Sequence, residues 1–293
     1  MIQKNLFFLC SFLVCWLGTS RSANACDKWP SFDCSREQLS TLFKTLGFPV
    51  PASYHEAAQC ARLHFMRKPG VERWQVHDGY AERKTELRPL LQALGFVDTI
   101  APVQKHFRYG VIFGATYKTL AKRFSHMMML WQQGIRFDQL IFLVGQRPLQ
   151  TFEQEQILAA YNCTCAMETD IAKLLYERGS LPDDLKKIPV LFVDAPGYRA
   201  SDGSWQRPTT GSTISSWLAS HPAPGSIVAI SNQPYVCYQD AVLHAILPAT
   251  FDITTVGLQA RSDESITTML DSLARYLCLR DSNIENQAIL FNP

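Results

Sequence analysis

The sequence lacks a dominant charge. Its 293 residues carry 28 Lys and Arg against 26 Asp and Glu, with no basic run. Nucleic-acid binding needs a concentrated cationic surface that displaces counterions from phosphates, so no nucleic-acid partner is expected. Beyond residue 25 there is no apolar run near the ~20 residues of a spanning helix. The doubled C-x-x-C of a zinc ribbon and the H-E-x-x-H of a zinc protease are missing, and no metal site is expected. Gly114-Ala115-Thr116-Tyr117-Lys118-Thr119 lacks the second glycine of a P-loop. Neither G-x-G-x-x-G nor G-x-S-x-G occurs. None of the seven histidines follows an expected strand end, so neither a Ser-His-Asp nor a Cys-His arrangement is readable.

What is present begins with a signal-like start. Lys4 precedes an apolar run over residues 6–17, and Ala23-Asn24-Ala25 fits an A-x-A cleavage site. Residues 1–25 are therefore expected to be a signal peptide, and the chain periplasmic or secreted. An uncleaved membrane anchor and lipid attachment at Cys26 are the alternatives, and only this segment would touch a membrane. Removing it takes Lys4 and Arg21 and leaves a neutral chain with seven of the nine cysteines. Oxidising conditions favour pairing, with Cys26 and Cys34 the simplest pair. An odd count leaves at least one thiol free or paired between chains. Asn162-Cys163-Thr164 is also a glycosylation sequon, relevant only in a eukaryotic source.

Residues 26–105 read as a helical region, with helices over about 35–46, 54–66 and 81–94. The first opens on Ser35-Arg36-Glu37-Gln38, a capping-box pattern. Residues 106–293 change character. Short apolar runs at 109–113, 139–144, 189–193, 226–230 and 252–256 are apolar on both faces, as strands of a parallel sheet covered by helices are. Helical stretches separate them, including one that opens on Thr151-Phe152-Glu153-Gln154, a second capping-box pattern. The expected fold class is α/β: a Rossmann-like, doubly wound, mostly parallel sheet of about five strands with an N-terminal helical layer.

Ligands of such sheets bind beyond the carboxyl ends of the strands. Small and hydrogen-bonding residues follow each expected strand, among them Gly114 and Thr116, Gly145 to Pro148, Asp194 to Gly197, and Ser231 to Tyr235. Gly114, Thr116, Arg147, Asn232 and Gln233 are the candidate ligand-binding residues. Arg147 offers a planar fork for phosphate or carboxylate. Glu153 is the candidate catalytic acid or base, although a carboxylate in a first helical turn is also favourable for the dipole alone. Thr209, Thr210 and Thr213 are candidates for phosphate or for an N-cap. Arg123 is a candidate too, or a residue of a solvated face.

The order of a strand ending at Gly114, a helix with Arg123, a strand ending at Gly145, Glu153, Thr209 to Thr213 and Ser231-Asn232-Gln233-Pro234-Tyr235 resembles the YdcF-like group of Rossmann-like bacterial proteins. That group includes the envelope-associated SanA and ElyC types. The resemblance covers residues 107–280. This chain differs in having Gly145-Gln146-Arg147-Pro148 where the group has Gly-Gly, in lacking an Asn near Thr213, and in having Tyr235 near a usual His. The resemblance implies a cell-envelope role and an anionic or nucleotide-like ligand. Whether the chain is an enzyme, and with which cofactor, stays open. The alternative is a non-catalytic envelope interaction protein whose helical layer meets a partner.

Overall fold

The computed structural model describes residues 36–68, 70–199 and 203–281. The expected signal segment, Ser35 and the expected Cys26–Cys34 pair lie outside the described residues. The fold is α/β, and all five expected strands form. They are β1 (His106–Phe113), β2 (Arg136–Leu143), β3 (Val190–Phe192), β6 (Ser226–Asn232) and β7 (Asp252–Leu258). A two-residue hairpin, β4 (Tyr198–Arg199) and β5 (Trp205–Gln206), intervenes and was not readable from apolar pattern. The five strands are all parallel, in the order β3-β2-β1-β6-β7. Chain direction across the sheet thus reverses between β1 and β6, which places a switch point there.

Period-two alternation assigns each strand residue to a face. Val111 and Phe113 join Ile141, Leu143 and Ile227 in one core, while Ile112 joins Phe142, Val228, Ile230 and Val256 in the other. The second core is covered by α4 (Tyr117–Gln132), α5 (Thr151–Tyr161) and α6 (Glu168–Arg178). In α4, Leu120, Phe124, Met127 and Trp131 recur at helical spacing and are buried. The expected capping box of α5 lies one residue earlier than its sequence pattern suggests. Gln150 is the N-cap, and its N–H donates to Glu153 at 3.1 Å.

The first core extends well beyond the sheet. It takes in α7 (Thr210–Leu218), α8 (Val236–Ile246) and α9 (Ile266–Arg280), and also α1 (Arg36–Leu46), α2 (Tyr54–His64) and α3 (Lys84–Ala93). Leu39, Leu42 and Phe43 of α1, Ala57, Ala58 and Ala61 of α2, and Leu87 and Leu91 of α3 are completely buried in the same cluster as Val111. α2 and α3 pack on α9, which is buried along nearly its whole length. The helical layer is a continuation of the α/β core. Gln233 ties the two together, since its Nε2 donates to Gly95 O (2.8 Å) and Asp98 O (3.1 Å) just after α3.

If the layer shares one core with the sheet, Leu42→Ala lowers the stability of the entire chain. The expected loss is about 2–5 kcal/mol, with urea unfolding followed by fluorescence and by circular dichroism remaining one coincident transition. Separate transitions for the two signals in the wild type would show the layer to be an independent unit.

Candidate functional site

The carboxyl ends of β1, β2 and β6 open into one cavity of about 490 Å³, within the range of small-molecule sites. Its walls also draw on residues 67–74, α4, the start of α6, the approach to α7, α8, residues 261–264, and Thr268 and Arg275 of α9. Gly114, Thr116, Arg147, Asn232 and Gln233 all line it, as do Arg123, Thr209, Thr210 and Thr213. Glu153 does not appear in its lining.

Arg123 fixes the switch point. It lies on the Leu120–Met127 face of α4 and is 2% exposed, so it belongs to the core and not to a solvated face. Its Nη1 donates to the carbonyls of Phe113 (3.0 Å) and Gly114 (2.8 Å), and its Nε donates to Asn232 Oδ1 (2.8 Å). It thereby caps β1 and clamps it to the end of β6. Burial pushes its pKa down to about 9, and the nearby positive charge of Arg73 acts in the same direction. The group still remains protonated at neutral pH.

Arg147 and Glu153 form a second buried clamp. The guanidinium of Arg147 donates to both Glu153 oxygens (2.8 and 3.1 Å) and to Ala115 O (3.1 Å). Glu153 also accepts the N–H of Tyr117 at the start of α4 (2.9 Å). Burial alone would raise the Glu153 pKa, but Arg147 outweighs it and holds the carboxyl below its ordinary value. The pair therefore positions the loops after β1 and β2. It leaves Glu153 without a free oxygen to move a proton, and Arg147 with little of its fork to offer an anion.

Glu168 was not anticipated from sequence, yet it lies at the cavity floor. Its Oε2 accepts the N–H of Gly145 (3.2 Å), and Oε1 stands 3.7 Å from Arg147 Nε. Burial raises its pKa, opposed by the charges of Arg147 and Arg207. Its carboxylate explains Gly114. A Cβ there would stand 2.8 Å from both Glu168 Oε1 and the Leu143 carbonyl. Gly145 is held in the same way by Pro208 and Ala195 O.

The cationic residues are unevenly matched. Nine Lys and Arg side chains line the cavity against three Glu, in a chain with balanced overall charge. Arg207 pairs with Glu72 (2.7 Å), Arg275 with Asp271 (3.1 Å) and Arg261 with Asp263 (2.7 Å at Nε). Among the described residues Arg67 and Arg73 form no such close ion pair, although the charges of Asp271 and Glu72 act on both, and with Tyr235 they raise the Arg73 pKa despite its burial. The Nε and Nη1 of Arg67 and the Nε of Arg73 are buried without a hydrogen-bond partner. Burial and the neighbouring Arg73 push the Arg67 pKa down to about 10. Arg73 lies over the Tyr235 ring, 4.2 Å from its centroid. Trp74 and Phe152 meet edge-on at the mouth, ring centroids 5.8 Å apart, each more than a third exposed.

Thr116 is the N-cap residue of α4, although its hydroxyl makes no capping bond. Thr209 caps α7 by accepting the Ser212 N–H (3.1 Å). Asn232 holds Arg123 and donates to Gln233 O (2.9 Å). Among the described cysteines, Cys60, Cys163, Cys165 and Cys278 are free thiols. The chain matches no known family model and no curated protein.

The Arg147–Glu153 clamp makes a testable contribution to stability. Glu153→Gln leaves a buried guanidinium short of its counter-charge and is expected to cost about 3–5 kcal/mol at pH 7. Because the folded carboxyl has the lower pKa, its stabilisation is complete above the unfolded value of about 4.3 and disappears as pH falls through the folded one. Chemical denaturation should therefore show the two proteins converging below about pH 4. A gap of constant size down to pH 2 would contradict the assignment.

Proposed function

We propose that this chain binds a phosphate-bearing or otherwise strongly anionic small molecule in the cavity at the switch point between β1 and β6. One observation carries the reading: the buried Nε and Nη1 of Arg67 and the buried Nε of Arg73 lie in the cavity wall with no hydrogen-bond partner among the described residues. A buried guanidinium nitrogen without a partner is costly, a cost that shows in the lowered Arg67 pKa, and an anion seated between these arginines would offset it. Arg forks suit the planar, two-point recognition of phosphate and carboxylate oxygens. The N-terminus of α4 adds positive potential at the same place. Trp74 and Phe152 offer apolar contact to the remainder of the molecule. In this reading Thr116, Asn232 and Gln233 shape the floor, while Arg67, Arg73 and Arg123 supply its charge.

The resemblance to the YdcF-like group points the same way, toward a nucleotide-like or phosphorylated ligand. The signal-like start adds an exported, cell-envelope setting. The reading as an interaction protein is less favoured, because α1, α2 and α3 bury their apolar faces against the chain's own core. Catalysis is not needed to explain the cleft, and the proposal is one of binding.

Arg67 provides the sharpest test because its side chain nitrogens contribute no hydrogen bond to the fold. Arg67→Met is expected to weaken pyrophosphate binding at least about tenfold, measured by isothermal titration calorimetry at low ionic strength. The melting temperature of the unliganded protein should stay the same or rise. Unchanged affinity in Arg67→Met and in Arg73→Met would remove the unpaired arginines from ligand binding and the proposal with them.

A further inference from the structure

The cavity contains a carboxylate where an anion receptor should exclude one. Glu168 is 7% exposed and lies at the cavity floor beside the arginines that would hold the ligand. One oxygen accepts the Gly145 N–H, while the other makes no hydrogen bond among the described residues and stands 3.7 Å from Arg147 Nε. That second oxygen abuts Gly114, whose missing side chain makes room for it. The surroundings are arranged to keep a carboxyl at this point and leave one of its oxygens for something in the cavity.

We infer that Glu168 selects, within the anion site proposed above, oxyanions that carry a proton: hydrogenphosphate, and phosphate monoesters only as their protonated monoanions below a pKa of about 6, in preference to sulfate. An ionised Glu168 oxygen facing a ligand oxygen repels it unless one proton lies between them. Hydrogenphosphate brings that proton as a P–OH group and donates it in a short charge-assisted bond. Sulfate has no O–H at neutral pH and meets only the repulsion. Once Glu168 is itself protonated it becomes the donor, and sulfate is then accepted as well.

The charged groups around Glu168 come from several elements. Arg147 follows β2, Arg207 precedes α7, Arg123 projects from α4, and Glu153 of α5 lies behind Arg147. None of them is a histidine. Glu264 is a second carboxyl in the cavity wall, beside Arg261 and Lys122, and burial raises its pKa too. Burial likewise shifts Glu168 upward, so its titration lies nearer to neutrality than that of an ordinary glutamate. The sign follows directly. Discrimination against sulfate is weak below the Glu168 pKa and grows as pH rises through it.

The experiment titrates the purified chain with inorganic phosphate and with sulfate by calorimetry from pH 5 to pH 8. The wild type is expected to prefer phosphate by about tenfold or more at pH 8, with the ratio narrowing toward acid. Glu168→Gln keeps an oxygen for the Gly145 N–H and presents an uncharged amide to the cavity. It should bind sulfate nearly as well as phosphate at every pH. Glu264→Gln should retain the wild-type preference. Equal affinities in the wild type at pH 8 overturn the inference even if the variant fails to fold, as does a preference that survives in Glu168→Gln. Failure to bind either anion overturns the anion-site reading itself, and this inference with it.

Discussion

The guanidinium of Arg123 is the interaction on which the site depends. Parallel strands end with carbonyls pointing outward, and at a switch point no crossover helix covers the gap between neighbouring strands. Here Arg123 fills that position, bonded to the carbonyls of Phe113 at the end of β1 and of Gly114 just after it, and to Asn232 of β6. A lysine could place a charge there but could not span three acceptors in one plane. The cost is a nearly fully buried cation, visible in a pKa drawn down to about 9. The contacts of Arg123 also keep the cleft open. By holding the ends of β1 and β6 together below, it leaves the space above to the loops.

The Arg147–Glu153 clamp solves the neighbouring problem, the gap between the loops after β1 and β2. Both members are almost inaccessible to solvent, at 4% and 0% exposure, and the carboxylate also anchors the N–H of Tyr117 at the start of α4. Two buried arginines at adjacent strand ends thus perform different tasks. One is neutralised and rigid. The other is bonded only to neutral acceptors and keeps its charge available to the cavity. Arg67 and Arg73 have the second character in stronger form, with Tyr235 as the main neighbour of Arg73.

Much of the fold was legible because buried parallel strands leave a plain signature. All five apolar runs became strands, and the Leu120, Phe124 and Trp131 spacing marked α4 correctly. The site was legible only in outline. Reading the residue after each strand placed Gly114, Thr116, Arg147, Asn232 and Gln233 around one cavity. It could not tell which side chains would be consumed by internal partners, since Arg147 and Glu153 satisfy each other across six residues of loop and helix. The burial of Arg123 was available in principle: it stands three residues after Leu120 and four before Met127. Glu168 at a helix start looks like any residue placed for the dipole. Arg67 and Arg73 had no signal, because both lie far in sequence from any strand end, Arg67 in irregular chain and Arg73 at the start of a three-residue 3-10 helix.

That last point changes the meaning of the helical layer. Residues 26–105 read from sequence as a helical layer, and the loop between α2 and α3 carries Arg67, Glu72, Arg73 and Trp74 into the cavity wall. The loop is held from below: Asp271 of α9 accepts the Arg67 N–H (2.9 Å), and Glu72 pairs with Arg207 across the mouth. Asp271 in turn is fixed by Arg275 one turn along α9. α9 therefore faces both ways, burying apolar residues against α2 and α3 while orienting the loop that joins them. The packing of the layer and the charge of the cavity are consequences of the same helix. A sheet of this kind usually builds its site from its own strand-end loops; this chain adds a wall from outside the sheet, and with it two arginines whose buried nitrogens lack hydrogen bonds among the described residues.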